Sequence, residues 1–208
     1  MKGDYYNADR VQFGALRVLN DDTVSAGMGF GTHPHNNMEI ISIPTFGDLE
    51  HRDSMGNVAV IRQGDVQVMS AGTGIRHAEY NREEEPTRLF QIWIIPDERG
   101  GAPSWGTKPF PKDDRAGRFV TLASGFAGDD EALPIRAAAR VVGATLMRGQ
   151  STEYRLGAGR HAYLVPAAGT VTVNGVSVAT GDGLAIRDET RLTIVAAQDS
   201  EIVLVDAA

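Results

Sequence analysis

Two short pairs of residues could do chemistry in this chain. His33-Pro34-His35 and His77-Ala78-Glu79 each set two ligand-type side chains two positions apart, in stretches rich in glycine and apolar residues. On a β-strand, residues i and i+2 point to the same face. If the two strands are neighbours, three imidazoles and one carboxylate converge on one point. That set of nitrogen and oxygen donors suits a divalent transition metal and leaves positions open for water or substrate. Three of the chain's five histidines lie in these pairs. A His-x-His pair standing alone is more commonly a hydrogen-bonded structural pair. The second pair, on a matching face, turns the reading toward a metal.

Other residues compete for the same roles. Glu39 follows His35 by four, so strand periodicity puts it on the same face. Spacing leaves Glu39 and Glu79 both open as the carboxylate ligand, the other serving as a partner that orients an imidazole. His51, beside Arg52-Asp53-Ser54, reads as a structural histidine hydrogen-bonded near a turn. His161 reads as a packed or surface residue. Gln67 faces either a cavity or the strand ladder, and Trp93, alternating with Gln91, reads as core. Met28, Phe30, Met38 and Met69 are candidates for a pocket mouth, although methionine in a core often only fills gaps. Pro34 fits a strand if its missing N–H faces an edge or a bulge.

The elements that must position these residues are short strands. Gly14–Leu19, Met38–Ile43, Val58–Ile61, Val66–Met69 and Leu89–Ile95 are apolar runs separated by turn residues such as Phe46-Gly47-Asp48 and Gln63-Gly64-Asp65. In the second half, Thr170–Val173 meets Val176–Val178 across Asn174-Gly175, the pair a type I′ hairpin turn favours. Strands this closely spaced predict a sandwich or barrel. Short helical turns are conceivable at Glu83–Glu85 and Asp129–Ala132. The division read from the sequence is residues 1–97 for a first β-unit, 98–118 for a Gly-, Pro- and charge-rich connector, and 119–208 for a second. The halves resemble a weak internal repeat, but the second has His161-x-Tyr163 and no matching carboxylate pair.

Composition bounds the function. The 208 residues carry a formal charge of −7 and no Lys/Arg block, which argues against direct contact with nucleic acid. There is no cysteine, so a metal must be held by nitrogen and oxygen. No apolar run of about 18 residues exists, and Met1-Lys2-Gly3-Asp4-Tyr5 has no signal-peptide character. The expectation is a cytoplasmic protein with no membrane contact.

The motifs together resemble a known family. Gly27, His33-x-His35, Glu39 and Gly47 resemble the first cupin motif, and Gly64-Asp65, Ala71-Gly72 and His77 the second. Within the cupins the chain is most similar to the pirins. The residues that carry this are Phe13–Asp22, Met38-Glu39, His51–Ser54, Met69–Gly74, His77–Asn81 and Gln91–Ile94. The clear match covers about residues 4 to 97; the second half fits in outline as the family's degenerate cupin. The resemblance implies an all-β bicupin, two face-to-face cupin β-barrels of the double-stranded β-helix type, with metal in the first only. It implies ligands at His33, His35, His77 and Glu79, which leaves Glu39 as the partner that orients an imidazole. It also implies one divalent metal per chain, Fe(II) above Ni, Mn, Co or Zn. Relatives of this kind typically carry some two dozen residues before the segment matching Asp4-Tyr5-Tyr6, and Ala78 stands where Ser is expected.

The function so implied is a metal-dependent dioxygenase that uses O2 to cleave the ring of a small aromatic, quercetin-like flavonol. Glu79 would be the catalytic proton acceptor. The alternative is a non-enzymatic, iron-binding, redox-sensing module that acts through a protein partner.

Overall fold

The structure, a computed structural model, describes residues 11–208; the readings at Met1–Tyr5 and Asp4–Tyr6 lie outside the described residues. The fold is all-β. The first half contains β1 (Leu16–Val24), β2 (Gly29–His35), β3 (Glu39–Phe46), β4 (Leu49–Asp53), β5 (Val58–Ile61), β6 (Asp65–Ser70), β7 (Ile75–Tyr80), β8 (Thr87–Ile94) and β9 (Ser104–Pro109). They form a five-stranded sheet, β1-β8-β3-β6-β9, and a four-stranded sheet, β2-β7-β4-β5. In the second half β10 (Val120–Ser124), β11 (Leu133–Pro134), β12 (Ala139–Leu146), β14 (His161–Ala168), β17 (Leu184–Ile186) and β19 (Ser200–Ala207) make a six-stranded sheet. A four-stranded sheet completes that half from β13 (Ser151–Arg155), β15 (Thr170–Val173), β16 (Val176–Ala179) and β18 (Arg191–Ala196). No described helix is long and apolar enough to cross a membrane.

The two halves meet face to face through their larger sheets. Ile41, Ile43, Val66, Val68, Phe90, Ile92 and Ile94 of the first half form one apolar cluster with Val141, Val165, Val203 and Val205 of the second. Each such side chain, once buried, contributes about 1.5–3 kcal/mol. Strand alternation then decides what faces the first barrel's interior. On β3, Ile41 and Ile43 point at the second half, so Ser42 points inward. On β6, Val66 and Val68 point outward and Gln67 inward. On β8, Ile92 and Ile94 point outward, Gln91 and Trp93 inward. Gln67 therefore faces the cavity. The corresponding core of the second half is apolar, with Leu146, Leu164, Val171, Leu192, Ile194 and Leu204 packed together.

Local chemistry explains several elements. Asn174 (φ 46°) and Gly175 (φ 87°) take the positive angles a type I′ turn demands, and Thr170–Val173 pairs with Val176–Ala179 across them. Pro34 lies on β2, an edge strand with a bulge between Phe30 and His33, so no ladder donor is lost. The segment 98–118, read as a connector from its composition, also builds structure. It supplies β9, which pairs with β6, and the 3₁₀ turn Asp113–Arg115. Helical turns do not form at the two expected places. Glu83–Glu85 is a bend, and Asp129–Ala132 is a turn closed by Ala132 N donating to Asp129 O (2.9 Å).

Candidate metal centre

β2 and β7 are antiparallel neighbours, with His33 opposite His77 and Phe30 opposite Glu79. A Cβ on Gly29 would lie 2.2 Å from Glu79 O, so glycine is what lets the two strands press together here. The ring centroids of His33, His35 and His77 are 4.8, 4.4 and 5.0 Å apart, and one nitrogen from each lies within 4.8 Å of the others. Glu79 is not within that trio. It joins a second, overlapping group with His51 and His77, again within 4.8 Å. His77 is common to both.

The residues present fit a metal. His77 is 1% exposed, yet neither of its ring nitrogens has a hydrogen-bond partner. A buried polar atom left unpaired costs about 1–3 kcal/mol, so such a ring asks for a ligand. His33 Nδ1 lies 2.7 Å from Gly31 O, and the tautomer that donates there leaves Nε2 free. Burial pushes His77 down to about 3, with His33 adding to the effect. Burial and His33 push His35 down to about 4. Both rings are thus neutral, the form that coordinates.

Glu79 is fully buried and accepts three side-chain hydrogen bonds, from Ser42 Oγ (3.3 Å), Gln67 Nε2 (3.1 Å) and Gln91 Nε2 (2.9 Å). Burial outweighs these bonds and pushes its carboxyl up to about 7. The amide orientations are fixed by chemistry. Trp105 Nε1 donates to Gln67 Oε1 (2.9 Å) and Trp93 Nε1 to Gln91 Oε1 (3.2 Å). An indole N–H only donates, so each amide must turn its oxygen to the indole and its NH2 to Glu79. Trp93 also packs edge-on against His35 at 4.9 Å, so it serves the site as well as the core.

His51 sits behind this shell. β4 flanks β7 with His51 opposite Glu79. Its Nε2 is 3.1 Å from Asp53 Oδ2, and its ring stacks on Trp105 at 5.4 Å. The structural reading holds for that hydrogen bond. Its Nδ1, however, is buried without a partner, which the sequence reading missed. The available signal was His51-x-Asp53 itself, a third i, i+2 pair.

Glu39 differs from expectation. It contacts no imidazole. Asn37 takes φ 46° and ends the run from His35, so Glu39 starts a strand of the other sheet and its face points to the second half. There Glu39 Oε2 accepts from Ser70 Oγ (2.5 Å) and from Arg136 N (3.1 Å), tying the halves together. Glu39→Ala is expected to lower unfolding free energy by about 1–3 kcal/mol, because it strands the buried Ser70 hydroxyl and the half-buried Arg136 N–H. Metal content should stay at the wild-type level. Urea unfolding and elemental analysis check the pair of outcomes; loss of metal would restore Glu39 as a ligand.

The remaining candidates separate cleanly. Met69 is core, packed with Ile40 and Ile75, and Met38 packs against that cluster. Phe30 packs on Val24, Leu49 and Leu89. Met28 is 62% exposed. His161 packs edge-on against Phe13 at 5.1 Å. Both donor groups among the described residues belong to the first half.

Known proteins resemble this chain over nearly its whole length. The family model described as Pirin matches residues 1–94, and that of the quercetinase C-terminal cupin domain matches residues 121–207. A pirin-like protein of Caulobacter vibrioides is 59% identical over 204 residues, covering 98% of this chain and 88% of that protein. Quercetin 2,3-dioxygenase of Escherichia coli K12 is 41% identical over 204 residues, covering 98% of this chain and 87% of the relative. The crystal structure of the bacterial pirin YhhW from Escherichia coli in complex with nickel(II) superposes with a TM-score of 0.91 at 39% identity. It covers 100% of this chain and 88% of that one. With both halves matched and the two barrels packed as described, the chain belongs to the pirin family of bicupins.

Proposed function

We propose that this protein is a metal-dependent dioxygenase that cleaves a quercetin-like flavonol with O2, holding one divalent metal through His33, His35, His77 and Glu79. The observation that carries the reading is His77, buried between two other imidazoles with both ring nitrogens unpartnered. The similarity to an enzyme described as quercetin 2,3-dioxygenase supports the substrate class. Fe(II) is the metal we favour for reaction with O2; the nickel(II) held by YhhW is the reason other divalent ions belong in the test. When bound, the metal supplies a Lewis-acidic centre at which a chelating flavonol and O2 are brought together.

The chain's own residues do the rest. Glu79 accepts the proton of the flavonol hydroxyl; burial, which pushes its carboxyl up to about 7 in the metal-free chain, makes it a stronger proton acceptor than an exposed carboxylate. Gln67 and Gln91, pinned by Trp105 and Trp93, hold the carboxylate in place while its charge changes. Ile40, Met69 and Ile75 keep the floor dry. The working unit is the first barrel, 1–97, completed by β9 from segment 98–118; the second barrel, 119–208, seals its back.

The direction of the pKa shifts gives a test. In metal-free protein at pH about 6, Glu79 still carries its proton while His35 and His77 do not. Metal binding to a ligated Glu79 must expel that proton, so affinity rises with pH up to about 7 and then levels off. Calorimetry in buffers of different ionisation enthalpy should find Glu79's proton released at pH about 6 and little at about 8.5. The same release from Glu79→Gln would remove Glu79 from the ligand set. Activity is tested by flavonol absorbance: metal-loaded protein should bleach it in air and not under argon.

A further inference from the structure

We propose that a groove on the outer face of the β2-β7-β4-β5 sheet binds a small molecule bearing a dianionic oxyanion group, a phosphate monoester or a dicarboxylate. Along β7, Arg76, Ala78 and Tyr80 alternate with His77 and Glu79, so they face away from the imidazoles. Register sets Arg52 of β4 beside Ala78 and Glu50 beside Tyr80. The small Ala78 makes a floor, and Arg52, Arg76, Tyr80 and Arg82 make walls, around about 630 Å³. That volume suits a small ligand rather than a macromolecular surface.

The charge there is unbalanced. Glu50 answers both Arg52 Nε (2.9 Å) and Arg82 Nη2 (3.1 Å). The Arg76 guanidinium has no ion pair and no hydrogen bond among the described residues. The neighbouring carboxylate, Asp53, is already occupied by His51, Met55 and Asn57. Asp53 also borders the groove and keeps its charge, since its partners are neutral, so three guanidiniums against two carboxylates leave a net charge of +1, in a chain whose total is −7. The local excess is thus built by this sheet and is not a general surface property. The Arg82 guanidinium lies 4.7 Å from the Tyr80 ring centroid, which holds it over the groove. Forked, always-charged guanidiniums match an anion with several oxygens better than a single carboxylate does. His77 borders the groove, but the side chains of Arg76, Ala78 and Tyr80 leave β7 on the face opposite those of His77 and Glu79, so the proposal does not depend on the dioxygenase reading.

The test is calorimetric titration of the full chain, metal-free and metal-loaded, at low ionic strength with glycerol 3-phosphate, succinate and acetate. Saturable binding of glycerol 3-phosphate or succinate in both metal states is expected, with acetate at least about tenfold weaker. Whichever dianion binds tighter identifies the source of the group. Arg76→Gln and Arg82→Gln should each weaken binding by about tenfold, while Arg148→Gln, the same charge change on the second half, should leave it unchanged. No saturable binding by about 10 mM overturns the proposal. So does binding that requires the metal, or that ignores both groove variants.

Discussion

His77→Ala is expected to abolish metal binding while the barrels remain folded. His77 is the one residue common to both donor groups, and its ring is the least exposed of the metal trio. Losing a group that merely supports a ligand costs roughly 10–100-fold in metal affinity, so losing the ligand at the centre should cost more than about a hundredfold. The fold should survive because the framework is apolar. The seam through Ile41, Ile92, Val141 and Val203, and the second barrel's core around Leu164 and Ile194, contain no part of the site. Elemental analysis should find the variant metal-free after dialysis, and circular dichroism should match wild type. An unfolded variant would make the cluster a structural device, as in proteins that fold only around their metal.

Glu79→Gln should lose turnover by about a hundredfold to ten-thousandfold, the range a positioned proton acceptor contributes, with a much smaller change in flavonol affinity. The substitution keeps the shape of the side chain and removes the group pushed up to about 7. It also disturbs the donors around it. A glutamine at 79 offers one accepting oxygen and one NH2 that only donates, so either Gln67 or Gln91 loses its acceptor, while Trp105 and Trp93 still claim the oxygens of both. Steady-state kinetics separate the effects: kcat falls and KM stays near wild type. A fall in affinity with kcat unchanged would make Glu79 a binding residue only.

What the sequence made legible follows from periodicity. His33-x-His35 and His77-x-Glu79 each fix two side chains to one strand face, and the Asn174-Gly175 turn fixes a hairpin; neither needs knowledge of the rest of the chain. The reading failed where an answer depends on register between distant strands. Glu39 follows His35 by four, but the positive φ of Asn37 moves it to another sheet, where it ties Ser70 to Arg136. His51 enters the site only because β4 pairs with β7. Trp105 reaches Gln67 because β9 pairs with β6, and β9, Ser-Trp-Gly-Thr-Lys-Pro, lacks the apolar alternation that marks a strand. Gln67 and Gln91 are ordinary polar residues until both are seen to donate to one buried carboxylate.

Oxygen uptake by metal-loaded protein supplied with quercetin tests the central claim most directly. Fe(II)-loaded wild type should consume O2 as flavonol disappears, and both metal-stripped wild type and loaded His77→Ala preparations should consume none above background. Protein that retains one metal per chain and shows no uptake with quercetin, other flavonols or catechols would contradict the enzymatic reading and leave a metal-binding interaction module.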